Sequence, residues 1–440
     1  MTKRRSAPMS LLPSALRRFF FACIVLLPLF GAECDAQEPV RIGINYPLTG
    51  PYSVEGLDQI RAARLAVDQI NEAGGILGRP VELIARDSGS SVLLTTININ
   101  ELIQAGCSMV FGGASSDVAI AAGEICQRRG ALFFGTLTYS TATTLENAHR
   151  LNFRESCNSW MAARALAGWL NTEFKGKKYF YITADYTWGW TTEASMREVT
   201  NTTDISRHPR VLTSLGASDY RYALNKARLY KPNVLVLSLF GKDLANALRQ
   251  AKAMGVDFDC QLVVPNLTLG MAERSGPSNI EGVVGVLPWT WKVPFLLDNE
   301  RGKAFVDEFV RRYRRYPSTS GASAYSIPFI YKNAVERAGS FENDKAARAL
   351  EGHSYSLLKG RQTWRALDHQ NVQDVYLVRV NSRGKVLADP LRLDYFEILG
   401  SFPGEEAVRS PGEWRRLRRE RGLPDHLEPL AEDANHEDDR

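Results

Sequence analysis

Apolar positions along this chain alternate between two patterns, short continuous runs and runs at helical spacing. Val40–Tyr46 (VRIGINY) is a run of the first kind and predicts a strand. Leu57–Glu72 places Ile60, Ala63, Leu65-Ala66-Val67 and Ile70 on one side of a helix. Ala73-Gly74-Gly75 stops that helix, and Pro80–Asp87 (PVELIARD) reads as the next strand. A helix over 91–105, a strand over 108–111, a helix over 116–129 and a strand over 131–135 continue the alternation. The pattern then restarts. A helix over 159–174 carries Trp160, Ala163, Leu166-Ala167 and Leu170 on one side. It is followed by a strand over 178–184, a helix over 191–199, a short strand at Val211 and a helix over 220–229. A strongly buried strand over 234–239 (VLVLSL), a helix over 244–254 and a strand over 260–264 complete the second set. Repeated βαβ units with short loops predict an α/β fold with parallel sheets covered on both faces.

The chain then becomes irregular and aromatic over 285–292 (GVLPWTWK), before long helices over 301–315 and 324–338. After Thr363 it turns β-rich, first DVYLVRV and then GKVLADP. Two α/β halves, with the chain leaving the second and returning, predict lobes joined by several crossings. The boundaries fall at 38–158 plus 290–365 for lobe 1 and at 159–289 plus 366–400 for lobe 2. Beyond 401 periodicity fades. A basic cluster (Arg415, Arg416, Arg418, Arg419, Arg421) gives way to the acidic end EDANHEDDR. Residues 401–440 read as a flexible charged tail, with a partner-binding helix as the other reading.

Composition changes this picture little. A hydrophobic content of 44% and a charged content of 23% are those of an ordinary globular protein. The formal charge of +5 lies largely in the termini, so no nucleic-acid partner is expected. The N-terminus matters more. Lys3, Arg4, Arg5, Arg17 and Arg18 precede the apolar run FFFACIVLLPLFGA, and Cys34-Asp35-Ala36 supplies small residues before a cut. Residues 1–36 read as a secretory signal peptide, the apolar run being shorter than the roughly 20 residues of a spanning helix. The mature chain is expected in the periplasm, where disulfides are permitted. Cys107 would begin one strand and Cys126 lies late in the returning helix, so this pair is the disulfide candidate.

The stretch with most chemical content is Met109–Val118 (MVFGGASSDV). Its apolar run ends in two glycines and two serines, and a helix follows. Ser115 or Ser116 would cap that helix. A strand-to-helix corner of this kind presents free N–H groups and the positive helix end, and so can seat a carboxylate. The same residues also suit a plain capped turn.

Several strings decide between these readings. RIGINYPLTGPYSVEG, LAVDQINEAGGILGRP, FGGASSDVAIAA, ADYTWGW and LRQAKAMGVD, together with the signal peptide, resemble type I periplasmic solute-binding proteins over roughly residues 38–400. The branch is similar to the receptors for branched-chain amino acids, amides and urea that serve ABC importers. The resemblance implies two Rossmann-like lobes, three hinge crossings and a ligand held between the lobes. It assigns the ligand carboxylate to Ser115, beside Ser116, with Leu137 and Thr138 completing the polar site. Trp188 and Phe240 in the second lobe, and Tyr325 in the first, match pocket aromatics. Tyr186 and Trp190 are further aromatics compatible with a ring-shaped ligand. Asn266 stands where amino-acid receptors carry the acid that takes the ligand's ammonium. Glu55, where relatives carry an aromatic, either replaces that charge or faces solvent.

No P-loop, GxGxxG, HExxH or GxSxG motif occurs, and no histidine pairs with Cys or His at ligand spacing. No catalytic residue, cofactor or metal is therefore expected. The expected function is capture of a small polar ligand (an amide, urea-like compound, amino acid or small carboxylate) by a monomeric receptor. Its partners would be an ABC permease and the permease's ATPase subunits. A ligand-sensing subunit for a membrane sensor kinase or chemoreceptor is the alternative, and an exported enzyme a more distant one.

Overall fold

The computed structural model describes residues 38–256 and 260–430. The signal peptide expected at 1–36 and the acidic end at 431–440 lie outside the described residues. No helix among the described residues is long and apolar enough to cross a membrane.

The first sheet is built by β1 (Val40–Tyr46), β2 (Val81–Asp87), β3 (Met109–Gly112), β4 (Leu132–Gly135) and β5 (Asn152–Arg154). Helices α1 (Ser53–Glu72), α2 (Val92–Gln104) and α3 (Ser116–Arg129) alternate with them. Its order is β2-β1-β3-β4-β5, all parallel. The second half runs α4 (Ser159–Glu173), β6 (Tyr179–Ala184), α5 (Thr187–Thr200), β7 (Arg210–Thr213), α6 (Arg221–Tyr230), β8 (Val234–Ser238), α7 (Gly241–Ala253) and β9 (Gln261–Val264). It continues through α8 (Leu269–Ser275), α9 (Pro277–Ile280) and β10 (Val284–Leu287). The chain then returns to the first half through α10 (Val293–Leu296), α11 (Glu300–Tyr313), α12 (Thr319–Ala338) and α13 (Asn343–Leu350). A small antiparallel sheet follows: β11 (Ser354–Tyr355), β12 (Gln362–Trp364) and β13 (Asn371–Val372). It crosses once more into β14 (Val375–Val380), α14 (Arg383–Ala388) and β15 (Phe396–Phe402). The second sheet has the order β15-β14-β10-β9-β8-β6-β7, with β14 and β15 antiparallel to their neighbours. The three crossings therefore follow β5, β10 and β13.

Both sheets share one winding. Each begins with its first strand beside its third, and the second strand lies on the outer side of the first. In such sheets the loops leaving those two central strands diverge and open a crevice at their carboxyl ends. In the first lobe these loops follow β1 and β3; in the second they follow β6 and β8. The apolar cores agree with this arrangement. Ile42, Ile44, Phe111 and Phe134 pack under Ile60, Ala63, Ile327 and Tyr331, with Trp364 against Phe134 and Phe153. Ile99, Leu102, Val110 and Ala122 fill the other face.

Four expectations are corrected. Gly285–Leu287 belong to β10 rather than to irregular chain, because the strand lies between β9 and β14 and is buried on both faces, Val284 and Val286 on one and Leu287 on the other. GKVLADP, expected as β, forms α14, started by the Ser382 hydroxyl accepting from Lys385 N–H. Residues 401–430 are a packed strap rather than a flexible tail. There β15 extends to Phe402, then α15 (Gly404–Ala407) and α16 (Pro411–Glu420) follow, the latter with a Ser410–Glu413 capping box. Trp414 and Leu427 bury themselves against Leu145 and Ala148, and Trp414 Nε1 donates to the Thr144 carbonyl at 2.8 Å. Periodicity missed this because the burying residues are few and spaced among arginines. Lastly, Cys107 and Cys126 are not bridged. Both are buried thiols within one apolar cluster, where desolvation pushes the Cys107 thiol up to about 12.

Candidate ligand-binding site

The corner after β3 takes the shape its sequence requires. Gly112 has φ +128°, and a Cβ there would lie 2.3 Å from the Asn45 carbonyl oxygen of β1. Only glycine lets the two central strands approach so closely at their ends. The Gly113 carbonyl accepts from Gln59 Nε2 at 2.9 Å and Thr136 Oγ1 at 3.0 Å, which fixes the turn. Ser115 is then the N-cap of α3 in extended conformation, yet its hydroxyl bonds none of the first-turn N–H groups. A capping serine normally does so. Here the hydroxyl and the helix end remain available together. Ser116 has a different duty, since its Oγ accepts from Ser140 N–H at 3.1 Å and ties the corner to the loop after β4.

That loop carries Leu137, Thr138 and Tyr139, all buried. Its organiser is Arg154, a residue the sequence reading passed over. Arg154 is 2% exposed and donates to Gln370 Oε1 at 2.7 Å, Thr143 Oγ1 at 2.6 Å, the carbonyls of Thr138 and Ser140, and Thr144 Oγ1. Burial lowers its pKa to about 9. Its short position in β5 gave no sequence signal.

The second lobe meets this corner with aromatic residues from its own two central loops. Trp188, expected in a loop, lies in the first turn of α5, and Phe240 is the N-cap of α7. Their rings meet edge to face at 5.6 Å. Phe240 also contacts Tyr52 from the β1 loop (5.4 Å) and Tyr139 (6.2 Å), so one ring touches both lobes. Tyr52 and Tyr186 bring their hydroxyls to 3.4 Å. The sequence reading missed Tyr52 and Tyr139, although the strand order would have marked the loop holding Tyr52. Tyr325 does not join this group. It lies five residues, or about 140° of helix, beyond the cleft-facing Ser320. Its hydroxyl donates to Gln69 Oε1, and its ring packs on Phe305 and Phe329. Trp190 is half exposed and bonds Asp185.

Two polar residues complete the picture. Asn266, 1% exposed, accepts at Oδ1 from Trp188 Nε1 (3.3 Å) and Ser159 Oγ (3.2 Å). Glu55 does not face solvent. It reaches from α1 to Thr268 at the start of α8 and to Ser320 Oγ at 3.1 Å, joining the two lobes. A Cβ at Gly270 would come 2.3 Å from Glu55 Oε1, so a larger residue there would displace this carboxyl. Desolvation, reinforced by Asp58, raises the Glu55 pKa to about 7, while Thr268, Ser320 and Arg315 act the other way. Arg315 spans the same seam, pairing with Asp58 at 3.1 Å and Glu273 at 2.9 Å.

Comparison with known proteins assigns this architecture. The periplasmic binding protein family matches residues 39–385. This chain belongs to that family. Among its relatives is the leucine-, isoleucine-, valine-, threonine- and alanine-binding protein of Pseudomonas aeruginosa, 24% identical over 75% of this chain and 87% of the relative. A periplasmic binding protein from Burkholderia mallei shares the fold at a TM-score of 0.77, with 22% identity over 86% of this chain and 98% of that one. An ABC-transporter solute-binding protein from R. palustris, solved with benzoate, does so at 0.70 and 19% identity, covering 82% and 96%. These relatives are solute-binding proteins rather than enzymes. In this binding protein the family match ends before β15 and the strap.

Proposed function

We propose that this periplasmic binding protein captures a small polar solute between its lobes and delivers it to an ABC importer. The solute is an amide, a urea-like compound, an amino acid or a small carboxylate. The permease and its ATPase subunits are the partners, and the receptor works as a monomer in the periplasm. The observation that carries this reading is the convergence of the central loops of both sheets. Ser115 and the α3 end stand on one side, and Trp188 and Phe240 on the other, with Leu137 and Thr138 beside them. A ligand carboxylate or amide oxygen on Ser115 would gain the hydroxyl and the free N–H groups of the helix end. The rings of Tyr52, Phe240 and Trp188 already touch, so entry requires the lobes to part about the three crossings. A ligand that touches both walls favours the closed form by its differential affinity for it.

The names of the relatives support the same end group, since the Pseudomonas protein is named for amino acids and the R. palustris protein was solved with benzoate. Both kinds of ligand carry a carboxylate. A thermal-shift screen across amino acids, amides, ureas and aromatic acids, followed by calorimetry on the hits, tests the proposal. Ser115→Ala is expected to weaken binding by about 1–3 kcal/mol, the loss for a hydrogen bond to a charged group. Unchanged affinity would remove Ser115 from the site.

A further inference from the structure

The unpartnered polar atoms around the corner and Asn266 include an amide nitrogen, which only donates, and a phenol hydroxyl. Asn266 Oδ1 must face Trp188, because an indole nitrogen only donates. This fixes the amide and leaves its Nδ2, fully buried, without a partner among the described residues. The Tyr139 hydroxyl, on a side chain 3% exposed and in contact with Phe240, is likewise unpartnered. Burial holds its pKa well above the ordinary value, so it keeps its proton. Ser115 and the first-turn N–H groups of α3 add further donors.

Most of the side-chain acceptors nearby are engaged. Asn266 Oδ1 serves Trp188 and Ser159, and the Glu55 oxygens accept from Thr268 and Ser320. The Asp243 carboxylate, in the first turn of α7, accepts from Gly216 N–H of the β7–α6 loop at 2.9 Å through one oxygen, and its other oxygen is without a partner among the described residues. An ammonium seated against Asn266 Nδ2 would set donor against donor and leave that buried amide unsatisfied. An oxygen in the same place would satisfy a buried amide that otherwise goes unpaired.

We propose that the ligand is a carboxylic acid with a second oxygen acceptor, a 2-oxo or 2-hydroxy acid, and that Asn266 is the residue that selects it over the corresponding amino acid. The proposal rests on the receptor reading above, with the carboxylate on Ser115. The apolar and aromatic walls fit a branched or aromatic side chain on such an acid.

The test compares matched pairs by calorimetry on the mature protein: leucine with 4-methyl-2-oxopentanoate, valine with 3-methyl-2-oxobutanoate, and phenylalanine with phenylpyruvate. Acetamide and urea are run beside them. The oxo acid of at least one pair is expected to bind tenfold or more tightly than its amino acid. Asn266→Asp, which puts an acceptor where Nδ2 stood, is expected to narrow or reverse that ratio. If an amino acid binds more tightly than its oxo acid, the inference fails, and Glu55→Gln and Asp243→Asn then show which carboxylate takes the ammonium. Binding of an amide with neither acid also overturns it, while the receptor reading survives. No saturable binding by any acid, amide or urea overturns both.

Discussion

Glu55 offers a quantitative check on the closed interface. Its carboxyl is fully buried between the lobes, faces the Asp58 carboxylate and the Arg315 guanidinium, and is bonded by two hydroxyls. Because the folded protein holds this proton up to about pH 7 and the unfolded chain releases it near 4.5, the native state binds more protons across that window. Stability from this group therefore falls as pH rises from about 4.5 to about 7 and levels off above. The gap, at about 1.4 kcal/mol per pH unit, is worth about 3 kcal/mol. Glu55→Gln keeps the shape and removes the charge, at a loss of about 1 kcal/mol from weaker hydrogen bonds. At pH 8 the variant should then be more stable than the parent by about 2 kcal/mol, a Tm rise of a few degrees. At pH 5, where Glu55 is already neutral, the advantage should vanish. The assay is thermal unfolding of both proteins from pH 5 to pH 8.5, read as the difference between them. A difference that stays constant with pH, or grows toward acid, would refute the assignment of this carboxyl to a desolvated interlobe seam.

Further outcomes follow from other contacts. Arg154→Met should lower stability by about 3 kcal/mol or more, since it leaves buried carbonyl and hydroxyl oxygens of the 138–144 loop unpartnered; denaturant unfolding measures it, and an unchanged midpoint would mean that the loop holds itself. Ser116→Ala should reduce stability by about 1 kcal/mol through loss of the Ser140 tie, with ligand affinity changed less than in Ser115→Ala, as paired calorimetry would show. Ending the chain after Phe402 removes Trp414 and Leu427 from their cluster with Leu145 and Ala148. At about 1.5–3 kcal/mol for each buried side chain, it should cost about 4 kcal/mol, and an unaltered Tm would show that the strap is energetically idle.

Much was legible before any coordinates. The alternation of strand and helix patterns marked both halves, and most predicted elements lie within a few residues of those observed. Helices starting at the cleft, such as α1, α5 and α12, began earlier than expected. Their first turns carry ligand-side residues that do not follow the apolar repeat, which is also why Trp188 read as loop. The corner at Gly112–Ser116 was legible because its glycines and serines are local requirements of a tight turn before a helix. Tyr325 was not. Its direction depends on where α12 begins, and a shift of a few residues turns a side chain to another face.

The sequence by itself determined what short-range physics controls: the α/β alternation, the parallel sheets, the Ser115 corner and the family strings. Only the tertiary structure decided which groups meet across long separations. It set Phe240 against both Tyr52 and Tyr139, seated Glu55 on Thr268 and Ser320, turned the Asn266 amide by the Trp188 indole, gathered the 138–144 loop around Arg154 and folded the charged C-terminal segment onto Leu145. Hydrogen bonding and burial between residues far apart in the chain leave no periodic trace, because each partner's identity is constrained only by a contact that the backbone path creates.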